Sequence, residues 1–229
     1  GDTHQGRGAP GKPEKQYLPT NYTSMKQRLF YFGLLVLGSS FWCRAQQDPR
    51  IAEFLKVKKD MSYAAAHNYL DKQFPEWQLS KMKNLCMCIG SRIEDPQPTP
   101  TYRYLYTRKF YEAARVDTAT DSKATIAEKI AGMWKVYEQT NLAVCNNTQF
   151  DVTDGSVLKY AVTTYFIEFI EDIIQWKIPL NKVDASDNRT LLDYIKAQLE
   201  RNKGNALESK FQLYYDRLKA AGAKHRWEL

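Results

Sequence analysis

Histidine is scarce in this 229-residue chain, and the common catalytic signatures are missing. Only three histidines occur, and only His67 and His225 lie beyond residue 45. Neither has a second histidine at i+4 or partners arranged as in a serine-type triad. The sequence also lacks glycine-rich nucleotide loops, a His-Glu-x-x-His zinc motif and a Gly-x-Ser-x-Gly nucleophile motif. These absences predict a chain that is not an enzyme and uses no cofactor or metal.

Long runs that alternate apolar and polar residues, the pattern of half-buried strands, are also missing. Apolar residues recur instead at helical spacing, so the sequence predicts an all-α fold. Asp48 and Ser62 are suited to cap the first two helices, the second of which stops before Pro75. A capping-box pattern at 125–128 is predicted to start another helix. Two more helices are predicted over 78–89, ended by Gly90, and over 102–116, with loops at 91–100 and 141–154.

An apolar run at 29–42 is shorter than the ~20 residues that a membrane-spanning helix needs. Lys26 and Arg28 precede it, and small residues follow at 43–45, where a signal peptidase reads. We predict a cleaved export signal over 25–45, and hence a periplasmic or secreted protein without a stable membrane anchor. An uncleaved anchor is the alternative. Residues 1–24 precede Met25 and are set aside as a disordered extension or an artefact of the assigned start.

The chain carries a formal net charge of +7, which by itself suggests nucleic acid. Six basic and two acidic residues lie in 1–45, so only +3 remains in 46–229. That is an ordinary charge for a soluble domain, and we expect no nucleic-acid partner. Residues 46–229 are long enough for a single domain with a sizeable core.

Cysteines are few, and Cys86, Cys88 and Cys145 are those left beyond the signal. Cys86 and Cys88 face different directions on a helix, so at most one of them can pair with Cys145. Export permits such a disulfide. Three buried thiols are the equal alternative, and the sequence does not decide between them.

Two segments in the last third of the chain are similar to each other. Each contains a polar turn and a helical stretch, followed by a second amphipathic stretch at 166–176 or 211–218. The matched pairs, 33 or 34 residues apart, are Asp151/Asp184, Asp154/Asp187, Leu158/Leu192 and Tyr160/Tyr194.

This period and the order turn, helix, helix, turn resemble ankyrin repeats over about residues 150–224. Residues 187–195 resemble the turn and first-helix motif of that family, and 218–224 its Gly-Ala close. Asn188 stands where the family has glycine, Ser156 stands where it has threonine, and 201–208 is an insertion. The resemblance implies stacked helical hairpins with two degenerate repeats at the C-terminal end, covered upstream by a helical part at 46–149. Generic hairpins with a coincidental period are the alternative.

The resemblance also implies non-catalytic recognition, because ankyrin repeats bind proteins through turn tips and inner helices. An exported binding protein without enzyme motifs is similar to periplasmic immunity proteins, which occlude a toxin. We therefore expect a protein partner, with a toxin as the concrete case. A secreted enzyme or effector with an unrecognised site is the alternative. The predicted partner-binding residues are two repeat turns, an acidic helix edge and one tryptophan: Asp154, Gly155, Asp187, Asn188, Arg189, Glu168, Glu171, Asp172 and Trp176.

One further segment, 102–111, mixes aromatic and basic residues. Such mixtures occur where nucleic-acid bases stack and in protein interfaces. On a helix these aromatic side chains cannot all face one core. We rank a core role first, a protein interface second and nucleic acid third.

Overall fold

A computed structural model describes residues 48–94, 99–146 and 154–229. The predicted extension at 1–24 and the predicted export signal at 25–45 lie outside these residues. Side chains are described for all of these residues except 91–94, 99–100, 146 and 154.

Polar caps start the first two helices where the sequence predicts them. The Asp48 carboxylate accepts the Arg50 N–H at 2.9 Å and opens α1 (Pro49–Val57). The Ser62 hydroxyl accepts the Ala65 N–H at 3.2 Å and opens α2 (Tyr63–Gln73). Each cap satisfies a backbone donor that the first helical turn leaves without a partner. Both predicted caps are confirmed.

The helix predicted over 78–89 is wrong in its middle and at its end. A short 3-10 turn at Leu79–Met82 is followed by Asn84 in the left-handed region, with φ 61. Helix α3 (Leu85–Glu94) then runs through Gly90 instead of stopping there. A Cβ at Gly90 would collide with the Tyr160 hydroxyl and lie 3.0 Å from its ring carbon Cζ. Gly90 therefore permits close helix packing instead of ending a helix.

The next two helices follow the prediction more closely. Helix α4 (Thr99–Ala113) confirms a helix for most of 102–116, and it ends before Arg115, which has φ 51. The predicted loop at 91–100 is wrong at both edges, which are helical, while 95–98 lie outside the described residues. Helix α5 (Lys123–Gln139) begins three residues earlier than the capping-box pattern indicates, because the Ser122 hydroxyl accepts the Thr125 N–H at 3.1 Å.

Part of the predicted loop at 141–154 is a small antiparallel sheet. Strand β1 (Val144–Asn146) pairs with β2 (Asp154–Ser156), with Cys145 opposite Gly155. Cys145 also forms a disulfide with Cys86 of α3, with the two Cα atoms 5.8 Å apart. Cys88 is outside this disulfide, so the structure decides the pairing that the sequence leaves open.

Four helices complete the chain: α6 (Val157–Thr163), α7 (Ile167–Gln175), α8 (Leu191–Arg201) and α9 (Glu208–Ala220). Helix α6 packs against α7 and α8, and α9 packs against α7 and α8. Thr190 and Asp193 form a reciprocal capping box at the start of α8. The two helical pairs thus lie against each other.

Residues 47–229 form one compact unit, and the described part of it is mostly helical with one two-stranded sheet. A continuous apolar core includes Phe54 of α1, Trp134 of α5 and Tyr214 of α9. The predicted fold class is therefore confirmed as mostly helical. Within the described residues, no helix is long and apolar enough to cross a membrane.

Candidate functional site

Helix α4 divides the aromatic and basic segment between the core and the surface. Tyr102, Tyr106 and Phe110 recur every four residues and are buried. This spacing places them on one helical face. On the opposite face, Tyr104 is 64% exposed and Arg108 is exposed as well. The sequence cannot say which aromatics face outward until the core-facing side of α4 is known.

The outward face of α4 borders a surface groove of about 870 Å³. We call it the α4 groove. It contains tyrosine and arginine, two residue types that are enriched at protein interfaces. Glu168 on α7 is the one predicted partner-binding residue that lines it. The lining residues are Arg103, Tyr104, Thr107, Arg108, Tyr111, Glu112, Val116, Thr118 and Glu168.

Two carboxylates hold the arginines of the α4 groove in place. Arg103 makes a two-pronged contact with Asp172, with Nη2 to Oδ1 at 2.5 Å and Nε to Oδ2 at 3.0 Å. The Tyr106 hydroxyl donates to the same carboxylate. Burial first, and then this hydrogen bond, raise the pKa of Tyr106 well above its ordinary value. Arg108 donates to Glu112 at 2.6 Å. The Arg103 guanidinium is therefore anchored on a buried carboxylate, whereas Arg108 pairs with Glu112 at the surface.

Two of the predicted partner-binding residues are buried and leave the candidate surface. Asp172 was predicted to bind a partner from an acidic helix edge, but its side chain lies beneath Arg103 and is only 5% exposed. Trp176 is 4% exposed and packs its ring against Phe110 and Tyr106. Both residues serve the core under the α4 groove. Glu171 does remain exposed.

The repeat turns are held by a buried ion-pair cluster. Lys159 of α6 is 2% exposed, and its Nζ lies 2.5 Å from Asp187 Oδ1 and 3.0 Å from Asp184 Oδ2. Asp187 also accepts the Arg189 N–H at 3.1 Å. Asn188 has φ 60, a conformation that asparagine tolerates, and its side chain is exposed.

The first repeat turn offers less to a partner. Gly155 is buried in β2, and Asp154 is described only by its backbone in the same strand. Arg189 is half-buried. Of the five predicted turn residues, Asn188 is thus the one whose side chain the structure places in the open.

A second concavity, of about 390 Å³, lies at the C-terminal end of α5. We call it the α5-end cleft. Its charged lining residues come from four distant parts of the chain: Lys58, Glu138, Lys159, Lys182 and Asp184. Its apolar lining residues are Ala143, Val144, Leu158, Pro179, Leu180, Ala185 and Leu191, and Asn141, Ser156 and Ser186 complete it.

Glu138 is the unusual residue of this cleft, since it is only 9% exposed. Burial raises its pKa to about 7, and nearby Asp184 adds to the rise, while Lys182 and Trp134 oppose it. The Trp134 indole N–H lies close to the carboxyl but does not have hydrogen-bond geometry, and its Nε1 has no partner among the described residues. Within the described part of the chain, the Glu138 carboxyl thus has neither a hydrogen bond nor an ion pair.

The two serine hydroxyls that line the cleft both make hydrogen bonds. The Ser156 hydroxyl caps α6 by accepting the Leu158 N–H at 3.2 Å. The Ser186 hydroxyl donates to Asp184 at 2.6 Å. Burial opposes ionisation of Asp184, but hydrogen bonds from Ser186, Ser156 and Lys159 lower its pKa.

His225, close to the C-terminal residue of the described chain, is buried. Its Nδ1 lies 2.8 Å from Asp193 Oδ1, and its Nε2 lies 3.0 Å from the Tyr215 hydroxyl. Asp193 also accepts the Thr190 and Arg226 N–H groups. These hydrogen bonds connect the C-terminal residues to α8 and α9. Among the described residues, no group of three side chains is placed to hold a metal ion.

Comparisons with family models, with curated proteins and with solved structures find no match for this chain. The indications of function therefore come from the residues that line the α4 groove and the α5-end cleft. The aromatic and basic residues at 102–111 were noted in the sequence, with a core role ranked above a protein interface. Nothing in the sequence indicated the α5-end cleft, whose charged residues lie up to 126 positions apart between Lys58 and Asp184.

Proposed function

We propose that this protein is a non-catalytic protein-binding module that uses the α4 groove to hold a segment of a partner protein. The observation that carries the proposal is the outward face of α4, where Tyr104 and Arg108 stand exposed beside the fixed Arg103. Tyrosine and arginine are the residues most often found at binding hot spots, together with tryptophan. Fixed side chains lose little conformational freedom when a partner binds, which favours affinity.

The sequence adds three expectations to this proposal: ankyrin-like repeats, export and an immunity role. The packing of α6 and α7 against α8 and α9 supports two ankyrin-like hairpins, of which Asn188 is an exposed turn residue. The Cys86–Cys145 disulfide supports export, because disulfides persist in oxidising compartments such as the periplasm or the extracellular space. An exported binding module suits an immunity protein that neutralises a cognate toxin by covering its active site.

A photo-crosslinking experiment tests the binding surface. The chain is expressed in its native host with p-benzoyl-phenylalanine in place of Tyr104, and in a matched chain in place of Leu213, an exposed residue of α9. We expect a single protein adduct at Tyr104 and no adduct of that mass at Leu213. Equal adducts at both positions, or none at Tyr104, would contradict the assignment of the α4 groove.

The partner identified in this way then allows a quantitative test. The double variant Tyr104→Ala/Arg108→Ala removes two exposed side chains and should change stability by less than about 0.5 kcal/mol. We expect it to weaken partner binding at least tenfold, a size typical for loss of interface anchors. Leu213→Ala is the control and should bind as the unmodified chain does. If the partner is a toxin, it should lose activity in the complex; a fully active complex would refute the immunity role.

A further inference from the structure

The α5-end cleft holds a carboxyl group that the described fold does not pair. Glu138 lies in the last turn of α5, where the backbone carbonyls give the helix a partial negative charge. That position, its burial and the nearby Asp184 all disfavour a carboxylate. A buried acid is normally compensated by a partner. Glu138 faces a cavity instead, and this arrangement is expected of a group that meets a ligand.

Two lysines stand at the same end of α5 with donors to spare. Lys58 donates to the Thr140 and Asn141 carbonyls at 3.1 and 2.8 Å, and Lys182 donates to the Glu138 main-chain carbonyl at 2.9 Å. Neither has a carboxylate partner in the part of the chain that the structure describes. Each ammonium group has three N–H donors. At least one donor on each lysine is therefore left for a ligand anion, whereas Lys159 is engaged by Asp184 and Asp187.

The cleft also has apolar walls and a defined size. Leu158, Leu180 and Leu191 are among the side chains that line it, and its volume is about 390 Å³. Ligand sites in proteins usually measure ~300–1,000 Å³ and combine apolar walls with a few placed polar groups. The cleft matches the lower part of this range.

We propose that the α5-end cleft binds a small zwitterion with an apolar portion, of the size of a dipeptide. Glu138 accepts hydrogen bonds from the ligand ammonium group, and Lys58 and Lys182 bind the ligand carboxylate. The apolar walls cover the side chains of the ligand. This site is separate from the α4 groove and adds a small-molecule ligand to a protein-binding module.

Isothermal titration of the full chain tests the proposal with three matched probes. L-leucyl-L-leucine carries both charged groups, its N-acetyl derivative lacks the ammonium group, and its C-terminal amide lacks the carboxylate. We expect the dipeptide to bind and each derivative to bind at least tenfold more weakly, since hydrogen bonds to charged groups are worth ~1.5–3 kcal/mol. No detectable binding of the dipeptide at millimolar concentration, or equal binding of the N-acetyl derivative, overturns the proposal.

Two variants on α5 show whether Glu138 makes the contact. Glu138→Gln should weaken dipeptide binding at least tenfold. Glu128→Gln, on the exposed face of the same helix, is the matched control and should leave it unchanged. Thermal melting of each variant confirms that it is folded. Unchanged binding by Glu138→Gln would refute the assigned role.

The pH dependence gives an independent readout. In the cleft, Glu138 is surrounded by Lys58, Lys159, Lys182 and Asp184, and we expect the Glu138 carboxyl to titrate near neutral pH. Because its pKa is about 7, dipeptide affinity should rise from pH 6 towards 7.5. It should fall again as the ligand amine, with a pKa of ~8, loses its proton. A rise that persists in Glu138→Gln would contradict the proposal.

Discussion

At the scale of single residues, the buried charges of this protein differ in how they are compensated. Asp172 is met by Arg103 and Tyr106, and Lys159 is met by Asp184 and Asp187. Removing one partner from such a set leaves a buried charge, which costs far more than a surface ion pair contributes. Glu138 lacks this compensation within the described residues, and its protonation should therefore affect the stability of the whole domain.

Stability should fall with rising pH because of Glu138. Its pKa is about 7 in the folded protein and 4.5 ordinarily, so the folded state binds the proton more tightly than the unfolded state. The stabilisation is complete below pH 4.5 and is lost as the pH rises to about 7. The loss is on the order of 3 kcal/mol, from ~1.4 kcal/mol per tenfold difference in proton affinity.

Urea unfolding of the unmodified chain and of Glu138→Gln between pH 4.5 and 8 measures this loss. The glutamine resembles the protonated acid, so the two free energies of unfolding should converge at low pH. The variant should be the more stable one above pH 7. Taking the difference cancels the titration of other groups, and Glu128→Gln serves as the control. A difference that does not change with pH would show that Glu138 has no raised pKa.

At the scale of helices and strands, the residue at which a helix begins was easier to predict than the residue at which it is interrupted or ends. Helix starts depend on local cap chemistry, so Asp48 and Ser62 could be recognised from neighbouring residues. Gly90 could not, because its role depends on Tyr160, which is 70 residues away in sequence. The small sheet was not predicted, because three-residue strands are too short to show a period of alternating apolar and polar residues.

The candidate sites were likewise predictable only where they depend on residues close together in the sequence. Residues 102–111 are consecutive, and their composition alone suggested a core role first and a protein interface second. Their division into buried Tyr106 and exposed Tyr104 depends on which neighbours cover α4. Asp172 and Trp176 were predicted to bind a partner but are buried, because Asp172 of α7 and Trp176, which follows this helix, both face α4. The cleft around Glu138 forms only after four separate segments have come together.

The contact between α3 and α6 can be tested at Gly90. Alanine at this position would favour the helix intrinsically, but its methyl group would meet the Tyr160 ring. We expect Gly90→Ala to lower the free energy of unfolding by about 1–3 kcal/mol, the usual cost of overpacking. Chemical denaturation monitored by circular dichroism measures the change.

Two further variants separate this clash from a general effect of alanine. Gly132→Ala in α5 meets only Trp77, whose nearest ring carbon would lie 3.2 Å away, and should stay within about 1 kcal/mol of the unmodified chain. Tyr160→Phe removes the clashing hydroxyl, so Gly90→Ala should cost less in that background. An equal cost in both backgrounds would place the strain elsewhere.

At the scale of the whole molecule, one covalent bond joins the middle of the chain into a closed loop. The Cys86–Cys145 disulfide spans 59 residues, and α4 and α5 both lie between its ends. Closing a loop of this length should restrict the unfolded chain and stabilise the fold by about 4 kcal/mol in the chain-entropy treatment, and engineered cases often give less. Helix α4 of the α4 groove and Glu138 of the α5-end cleft both lie within this loop, so the same bond should stabilise both sites.

The double variant Cys86→Ser/Cys145→Ser should therefore lower the free energy of unfolding by about 2–4 kcal/mol, measured by urea denaturation without reductant. Reduction of the unmodified chain should have the same effect, because both treatments open the same loop. Cys88→Ser is the control, since Cys88 is outside the disulfide, and it should change stability by less than about 1 kcal/mol. If the unmodified chain is equally stable with and without reductant, the bond does not form in solution. The structural support for export would then be lost, while the binding surface on α4 would remain to be tested by its own variants.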